Sequence, residues 1–217
     1  MTLTFRGVSL RPVLEADLPF LFRLFSDPDR SHLWMRCRSI YDEACFQQAW
    51  GTWTSGTIAA KFMIESAGGP AGLVFDYERA PEDGYTKVTT VLDEASIGHG
   101  VGATATVLFW EWLFQSLPLR KVYMDVSGYN QAVVRMLRKV ELAEEGILKA
   151  DRYWNGAYWD LHIFALYREA FPKVRERVLR LPRAKHADTV AQSASPGKEV
   201  SSTENRILTN GCPSGTD

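Results

Sequence analysis

The sequence lacks the cysteine spacing of a disulfide-stapled or zinc-binding protein. Its 217 residues include three cysteines, Cys37, Cys45 and Cys212, which we expect to be reduced, as in an intracellular protein. Charge of neither sign is in excess, with 25 Lys and Arg against 26 Asp and Glu, which argues against a nucleic-acid binder that relies on bulk electrostatics. The longest apolar run is interrupted by Glu111 and is too short to cross a bilayer, and the first residues lack a signal-peptide layout. We therefore expect a cytoplasmic protein with no membrane or nucleic-acid partner.

The composition divides the chain into three parts. Residues 1–172 are rich in Trp, Phe, Tyr and Leu, which predicts one domain with a full core. Residues 173–185 are basic, with Val174 and Val178 at helical spacing. They predict a terminal helix whose basic face is either solvated or in contact with an acidic partner. Residues 186–217 have no Trp, Phe or Tyr and are dominated by small and polar residues, so we expect a disordered polar tail.

Apolar spacing and turn residues predict the element order β-α-α-β-β-β-α-β-α-β-β. Short turns at 67–70 and 81–84 join three strand-like segments, which is typical of an antiparallel meander. Asn155 and Gly156 lie between two later strand-like segments, and this pair is a strong hairpin signal. The pattern favours an α/β domain with a mixed sheet and helices on its faces.

Three alternating glycines, Gly98, Gly100 and Gly102, separate a strand-like run from a long apolar helix-like segment. Such glycines let backbone amides approach a ligand, and at a helix N-terminus that ligand is most often a phosphate. A P-loop is excluded because no lysine follows Gly102. A dinucleotide-binding turn matches Gly98-x-Gly100-x-x-Ala103, but residues 93–97 separate it from the strand, and the preceding strands lack βαβ order. A turn that uses glycine for geometry alone is a further alternative.

The same segment resembles motif A of the GNAT superfamily of acyl-CoA-dependent N-acyltransferases, Gln/Arg-x-x-Gly-x-Gly/Ala, with Ile97 at the polar position. Other segments resemble the superfamily's first strand and helix, its second conserved helix and the C-terminal hairpin of one branch: residues 8–12, 15–17, 130–139, 145–148 and 154–160. That branch acetylates ribosomal-protein N-termini, polyamines and amino sugars. The resemblance covers about residues 4–171. It implies a single domain whose mixed, mostly antiparallel sheet of about seven strands is splayed in the middle.

The resemblance also implies acetyl-CoA, or another acyl-CoA, as co-substrate, and no metal. Backbone amides between Gly98 and Thr104 would hold the pyrophosphate, aided by the helix dipole. The pantetheine arm would lie between strands at 88–92 and 121–126. Asn130 would contact that arm or cap its helix, and Arg138 would meet the adenosine phosphate or be solvated. The implied cofactor-binding residues are Val91, Leu92, Ile97, Gly98, His99, Gly100, Val101, Gly102, Ala103, Thr104, Asn130 and Arg138.

The catalytic acid of that branch has no counterpart here. It is a tyrosine or a serine on the second conserved helix, where this chain has Leu137 and Val133. The catalytic candidates nearby are Tyr129, just before that helix, and Glu94, just after the strand that would face pantetheine. Each also has an ordinary interpretation, as a packing residue for Tyr129 and as a solvated loop acid for Glu94.

Two further pairs of polar residues alternate along a strand and so share a face. Tyr123 and Asp125 form one pair, and Asp160 and His162 form the other. Either pair would serve catalysis or, as is more common, structural contacts.

The predicted function is transfer of an acetyl group from acetyl-CoA to a primary amine, by direct attack in a ternary complex. The amine would belong to a small molecule (an amino sugar, antibiotic or amino acid) or to a protein N-terminus. The alternative is a non-catalytic acyl-CoA-binding sensor or interaction module, which the missing tyrosine would explain. We expect a monomer or a homodimer.

The acceptor site is expected between the first two helices and the last hairpin. These regions are dense in aromatic residues: Trp34, Trp50, Trp53, Tyr153, Trp154, Tyr158 and Trp159. They would line a pocket or belong to the core. Acidic residues are not concentrated there, which argues against a polyamine acceptor.

Overall fold

The computed structural model describes residues 2–34, 42–56 and 58–181, with side chains except at 52–56 and 58. The tail expected at 186–217 and the side chain of Trp53 lie outside this description. Helices and strands follow the expected order, and one short strand precedes them. Their bounds are β1 Leu3–Phe5, β2 Val8–Pro12, α1 Leu18–Ser26, α2 Glu43–Gly56, β3 Ile58–Ser66, β4 Gly69–Ala80, β5 Tyr85–Leu92, α3 Val101–Ser116, β6 Lys121–Ser127, α4 Gln131–Lys139, β7 Ala143–Trp154, β8 Ala157–Tyr167 and α5 Phe171–Arg180.

The strands form one eight-stranded sheet in the order β1-β2-β3-β4-β5-β6-β8-β7. All neighbouring strands are antiparallel except β5 and β6, which are parallel. The strand that the sequence did not predict is β1, which has three residues and pairs Leu3 with Leu10 at the sheet edge. Three residues are too few to show the alternation of apolar and polar residues that predicts a strand, so β1 is identified only by its pairing with β2.

The sheet is splayed between β5 and β6, as the resemblance implied. The two strands pair at three positions, from Tyr85 with Lys121 to Lys87 with Tyr123. Beyond these positions β5 continues to Leu92 along β4, and β6 continues to Ser127 along β8. A V-shaped gap therefore opens in the middle of the sheet, with its vertex just beyond Lys87 and Tyr123.

Each face of the sheet has its own apolar core. On one face α3 buries Phe109, Trp110 and Leu113 in a cluster that also includes Val88 and Val122. On the other face α1 and α2 contribute side chains to a cluster with β3, β4 and Val91: Leu21, Leu24, Phe25, Phe46 and Trp50. Side chains alternate between faces along a strand, so Lys87 and Thr89 share the α1–α2 face with Val91.

The C-terminal elements complete the fold. The hairpin of β7 and β8 turns at Asn155 and Gly156, whose φ angles of 48° and 78° suit a tight turn. In α5, Val174 and Val178 are buried in the α3 core, while Arg175 and Arg177 form ion pairs with Glu111 and Glu141. Among the described residues, no helix combines the length and apolar character needed to cross a bilayer.

Candidate active site

The glycine segment forms a loop that ends at the N-terminus of α3. Gly98 and Gly100 have φ angles of 83° and 76°, which side-chain-bearing residues rarely adopt. Gly100 is the N-cap residue, and α3 begins at Val101. The first amides of a helix have no partner within it, so this end carries a partial positive charge. The first turn of α3, from Val101 to Ala103, therefore presents amides to an anion.

Thr104 does not belong to this set of amides. Its backbone N–H donates to the carbonyl oxygen of Gly100 at 3.0 Å, and its side chain is buried. Because α3 starts at Val101, Thr104 is the first residue whose amide is used by the helix itself. The expectation that its amide binds phosphate was wrong. The exposed members of the loop are Ile97 and His99.

Gly102 lies against the side chain of Leu92 at the end of β5. A Cβ atom there would lie 2.7 Å from Cδ1 of Leu92. The first turn of α3 thus rests on the residue that borders the gap.

Leu92 directs its backbone into the gap. The amide of Asp93 donates to the carbonyl oxygen of Ala71 on β4 at 2.9 Å. Hydrogen-bonding directions alternate along a strand, so Val91 also faces β4 while the N–H and C=O of Leu92 point away from it. Of the two strand residues that the resemblance implied, only Leu92 offers its amide to a ligand in the gap.

Gly72 fixes the position of this part of β5, and the sequence analysis did not identify it. A Cβ atom on Gly72 would lie 2.1 Å from the carbonyl oxygen of Val91 and 3.0 Å from Cα of Leu92. No side chain fits there. The available signal was a glycine inside a strand pattern, which often marks close backbone approach.

A short turn, Ser31–Leu33, connects the two sides of the gap at its open end. The preceding Arg30 donates from Nη2 to the carbonyl oxygen of Leu92 at 3.0 Å. Within the turn, His32 stacks on Trp154 of the hairpin with ring centroids 3.7 Å apart. The hydroxyl of Tyr129 donates to the carbonyl oxygen of His32 at 2.6 Å. The phenol of Tyr129 is thus held at the open end of the gap.

Asn130 occupies the N-cap position of α4, but its side chain makes no capping hydrogen bond. Its backbone carbonyl accepts the amides of Val133 and Val134, both at 3.1 Å. The half-buried side-chain amide has no hydrogen-bond partner among the described residues. It is therefore available to a ligand.

Arg138, which the resemblance placed at the adenosine phosphate, forms an ion pair with Glu144. Its guanidinium donates to both carboxylate oxygens of Glu144, at 3.0 and 2.9 Å, and these hydrogen bonds raise the pKa of Arg138. Glu144 also lies 2.5 Å from Nδ1 of His162. Asp160 pairs with Lys149 at 2.8 Å instead of with His162. The pair suggested by strand alternation is thus not formed, because β7 supplies a partner to each residue.

Glu94 lies in a turn, Glu94–Ser96, directly after β5, and is exposed. Asp93 accepts the amide of Ala95 at 3.3 Å and so orders this turn. The structure describes no ion pair for Glu94, which leaves its carboxylate to solvent at the open end of the gap.

A cavity of about 350 Å³ lies at the vertex of the gap, on the α1–α2 face. Its lining is Tyr85, Lys87, Tyr123, Asp125, Glu145, Gly146 and Ile163. The ammonium of Lys87 lies 2.8 Å from Glu78 and 3.0 Å from Asp125. Burial opposes the charge on Lys87, but the hydrogen bonds to the two carboxylates outweigh it and raise its pKa. The Oδ1 atom of Asp125 is buried and has no hydrogen-bond partner among the described residues.

The second charged group of the cavity is Glu145. Lys121 donates to its two oxygens at 3.0 and 2.9 Å, Tyr123 donates at 2.8 Å, and Tyr167 also donates. Burial disfavours the carboxylate, yet these hydrogen bonds lower the pKa of Glu145 to about 2. Close by, burial raises the pKa of Tyr77, and the negative charge of Asp125 adds to this effect.

The aromatic residues expected to line the acceptor site form separate groups. Trp34 and Trp50 pack against Phe25 of the α1–α2 core. Trp154 and Trp159 pack against Tyr129 at the open end of the gap, with ring centroids 6.1 Å from it in both cases. Tyr153 and Tyr158 pack on each other on the hairpin, with exposed fractions of 53% and 71%. The aromatic residues of the cavity are Tyr85 and Tyr123, whose rings pack edge to face with centroids 5.4 Å apart. Among the residues that the structure describes, no group of His, Cys, Asp or Glu could hold a metal ion.

Comparison with known proteins places the chain in context. Residues 8–143 match the family model described as an acetyltransferase (GNAT) domain. Spermidine N(1)-acetyltransferase of Escherichia coli (strain K12) is 24% identical over 160 residues, which are 70% of this chain and 81% of that protein.

Solved structures share the fold. Spermidine N-acetyltransferase from Vibrio cholerae, in complex with CoA and spermine, has a TM-score of 0.70 at 19% identity, over 77% of this chain and 99% of that chain. A GCN5-related N-acetyltransferase from Brucella melitensis has a TM-score of 0.66 at 17% identity, over 82% of this chain and 84% of that chain.

Proposed function

Since this chain belongs to the GNAT acetyltransferase family, we propose that it transfers an acetyl group from acetyl-CoA to the primary amine of a small molecule in the β5–β6 gap. The observation that carries the proposal is the parting of β5 and β6 after three pairs, next to the free amides at the start of α3. A gap in a sheet leaves backbone groups unpaired, and an extended polar chain can satisfy them. The helix N-terminus supplies the matching anion site.

The proposed position of the cofactor follows from this geometry. The amides from Gly98 to Ala103 hold the pyrophosphate. The pantetheine arm extends from this loop toward the vertex of the gap, along Leu92. The amide of Leu92 donates to the thioester carbonyl and stabilises the oxygen as it gains negative charge. The free side-chain amide of Asn130 binds the arm from the α4 side.

The proposed chemistry is direct attack. The neutral amine nitrogen bonds to the thioester carbonyl carbon, and its proton leaves through water to Glu94. The carbon–sulfur bond then breaks, and the thiolate takes a proton from the hydroxyl of Tyr129, which leaves its hydrogen bond to His32 for this step. Both groups stand at the open end of the gap. Leu137 is buried in the α3 core, so the helix position at which the family resemblance implies a tyrosine supplies no acid here.

The test measures CoA release from acetyl-CoA with a panel of amines that includes spermidine, an amino sugar and a peptide N-terminus. We expect turnover with at least one small amine. Tight acetyl-CoA binding with no turnover across the panel would contradict the proposal and favour the non-catalytic binding module.

A matched pair of variants tests the cofactor site. Gly100→Ala and Gly7→Ala both introduce a side chain at a φ of 76°, so their backbone strain is similar, about 1 kcal/mol. Gly7 lies in the turn between β1 and β2 with open space around it. We expect Gly100→Ala alone to weaken acetyl-CoA binding in a calorimetric titration. Equal affinities of the two variants would argue against the loop as the phosphate site.

A further inference from the structure

Arg30 lies at the open end of the gap and contacts the residue at which the thioester is proposed to bind. Its Nη2 atom donates to the carbonyl oxygen of Leu92 at 3.0 Å. The side chain is half-buried, and among the residues that the structure describes no carboxylate forms an ion pair with it. A guanidinium has five N–H donors, and the bond to Leu92 uses one of them. Its charge and its remaining donors are therefore available to a ligand in the gap.

The guanidinium is held in place by the core behind it. Its central carbon lies 5.6 Å from the centroid of the Trp34 ring. Trp34 in turn packs edge to face on Phe25 of the α1–α2 core, with ring centroids 6.5 Å apart. The carbonyl oxygen of Arg30 accepts the amide of Leu33 at 2.9 Å, which fixes the backbone of the turn. A donor fixed in this way can stabilise a developing charge without moving during the reaction.

The bond to Leu92 determines where the free donors lie. Within a strand the N–H and C=O of one residue point to the same side, so both groups of Leu92 face the gap. An oxygen that accepts the Leu92 N–H therefore lies beside the Leu92 carbonyl, and thus beside the guanidinium bound to that carbonyl. A thioester group has no N–H of its own and cannot replace Arg30 as the donor to Leu92. Arg30 and the thioester can therefore occupy the site together.

We propose that Arg30 is a catalytic residue that completes the oxyanion site formed by the amide of Leu92: it keeps one N–H on the Leu92 carbonyl and donates another to the thioester oxygen. This rests on the proposed function, because it requires the thioester at Leu92. As the amine nitrogen bonds to the carbonyl carbon, the π electron pair of the C=O bond moves to the oxygen. The pair returns when the carbon–sulfur bond breaks, and the thiolate leaves with the proton of Tyr129.

The charge of Arg30 determines the expected effect. A backbone amide carries only a partial positive charge, whereas the guanidinium carries a full one at a site partly withdrawn from water. Its interaction with the oxygen strengthens as the oxygen becomes negative, so its loss affects the chemical step more than the binding of acetyl-CoA. Removal of one donor from an oxyanion site lowers kcat about 100-fold or more.

The kinetic experiment compares wild type with Arg30→Met, Arg30→Lys and Arg23→Met, using the amine that gives the highest turnover. Arg23 is a matched control because it also lies over an aromatic ring, 5.9 Å from the centroid of Phe20, but is exposed on α1. We expect Arg30→Met to lower kcat about 100-fold, while its calorimetric affinity for acetyl-CoA stays within threefold of wild type. Arg30→Lys should recover part of kcat, since it keeps the charge but loses the planar fork of donors. Arg23→Met should match wild type.

Two kinetic outcomes would overturn the proposal. One is a kcat of Arg30→Met within threefold of wild type. The other is tighter binding of acetyl-CoA by Arg30→Met, which would mean that Arg30 occupies a position that the cofactor needs.

Infrared spectroscopy of bound acetyl-CoA, labelled with carbon-13 at the thioester carbonyl, separates this inference from the proposed function because it needs no acceptor. Hydrogen bonds to the oxygen weaken the C=O bond, so its stretching frequency should be lower in wild type and Arg23→Met than in Arg30→Met. Equal frequencies in wild type and Arg30→Met would refute the contact even if kcat falls, since a structural role leaves the carbonyl unchanged. If no amine is acetylated but the frequency difference is present, the proposed transfer fails and the contact of Arg30 with the thioester stands. A wild type that does not bind acetyl-CoA would overturn both.

Discussion

Replacement of Gly72 by alanine should damage both stability and cofactor binding, because the new methyl group has no space. Its carbon would lie 2.1 Å from the carbonyl oxygen of Val91, whereas an ordinary contact is about 3.4 Å, so β4 and β5 must separate by about 1 Å. Overpacking of this kind costs about 3 kcal/mol. For a domain of this size that lowers Tm by about 6–12 °C.

The same shift moves the backbone of Leu92, which borders the gap. Loss of one backbone hydrogen bond to the thioester, about 1 kcal/mol, would weaken acetyl-CoA binding about fivefold. Thermal unfolding followed by circular dichroism measures the first effect, and calorimetric titration with acetyl-CoA measures the second.

The control is Gly68→Ala, in the turn before β4, where an added Cβ meets nothing within 4 Å. Its Tm and its affinity for acetyl-CoA should match those of wild type. A Gly72→Ala protein whose Tm is within about 2 °C of wild type would refute the argument. The added methyl group would then fit between the strands without the loss of stability expected from overpacking.

Three further predictions concern individual side chains. Asn130→Ala should weaken acetyl-CoA binding about fivefold while changing Tm little, because the side chain makes no capping hydrogen bond; a drop in Tm with unchanged affinity would indicate a structural role instead. Tyr129→Phe should lower kcat about 100-fold with KM unchanged. A kcat within threefold of wild type would show that Tyr129 has only a structural role, through its hydrogen bond with His32. Glu145 has a pKa of about 2 in the folded protein, below its ordinary 4.5, so its stabilising effect is complete above pH 4.5 and lost as the pH falls toward 2. Chemical denaturation across this range should show a smaller loss of stability for Glu145→Gln than for wild type, and parallel curves would contradict the ion pair with Lys121.

Local sequence features predicted the secondary structure well where one signal dominated. The Asn155-Gly156 pair predicted the hairpin, because few residues tolerate positive φ. Alternating glycines predicted the loop before α3 for the same reason. The three-residue strand β1 was missed, since its strand character comes only from pairing with β2.

The candidate site was predictable in part. The glycine loop and Leu92 follow from the family motif, which is a continuous stretch of sequence. Ion pairs were not predictable, because their partners come from distant elements. His162 pairs with Glu144 of β7 and not with its strand neighbour Asp160, and Arg138 is held by the same carboxylate.

The sequence by itself determined the order of helices and strands, the family and the glycine loop before α3, because these depend on the spacing of apolar residues and on glycine conformation within short segments. Only the tertiary structure decided which amides face the gap and which carboxylates form ion pairs. Lys87 shows the physical reason. Its charge is set by Glu78 and Asp125, which come from two other strands, and those strands meet it only through the register of the sheet.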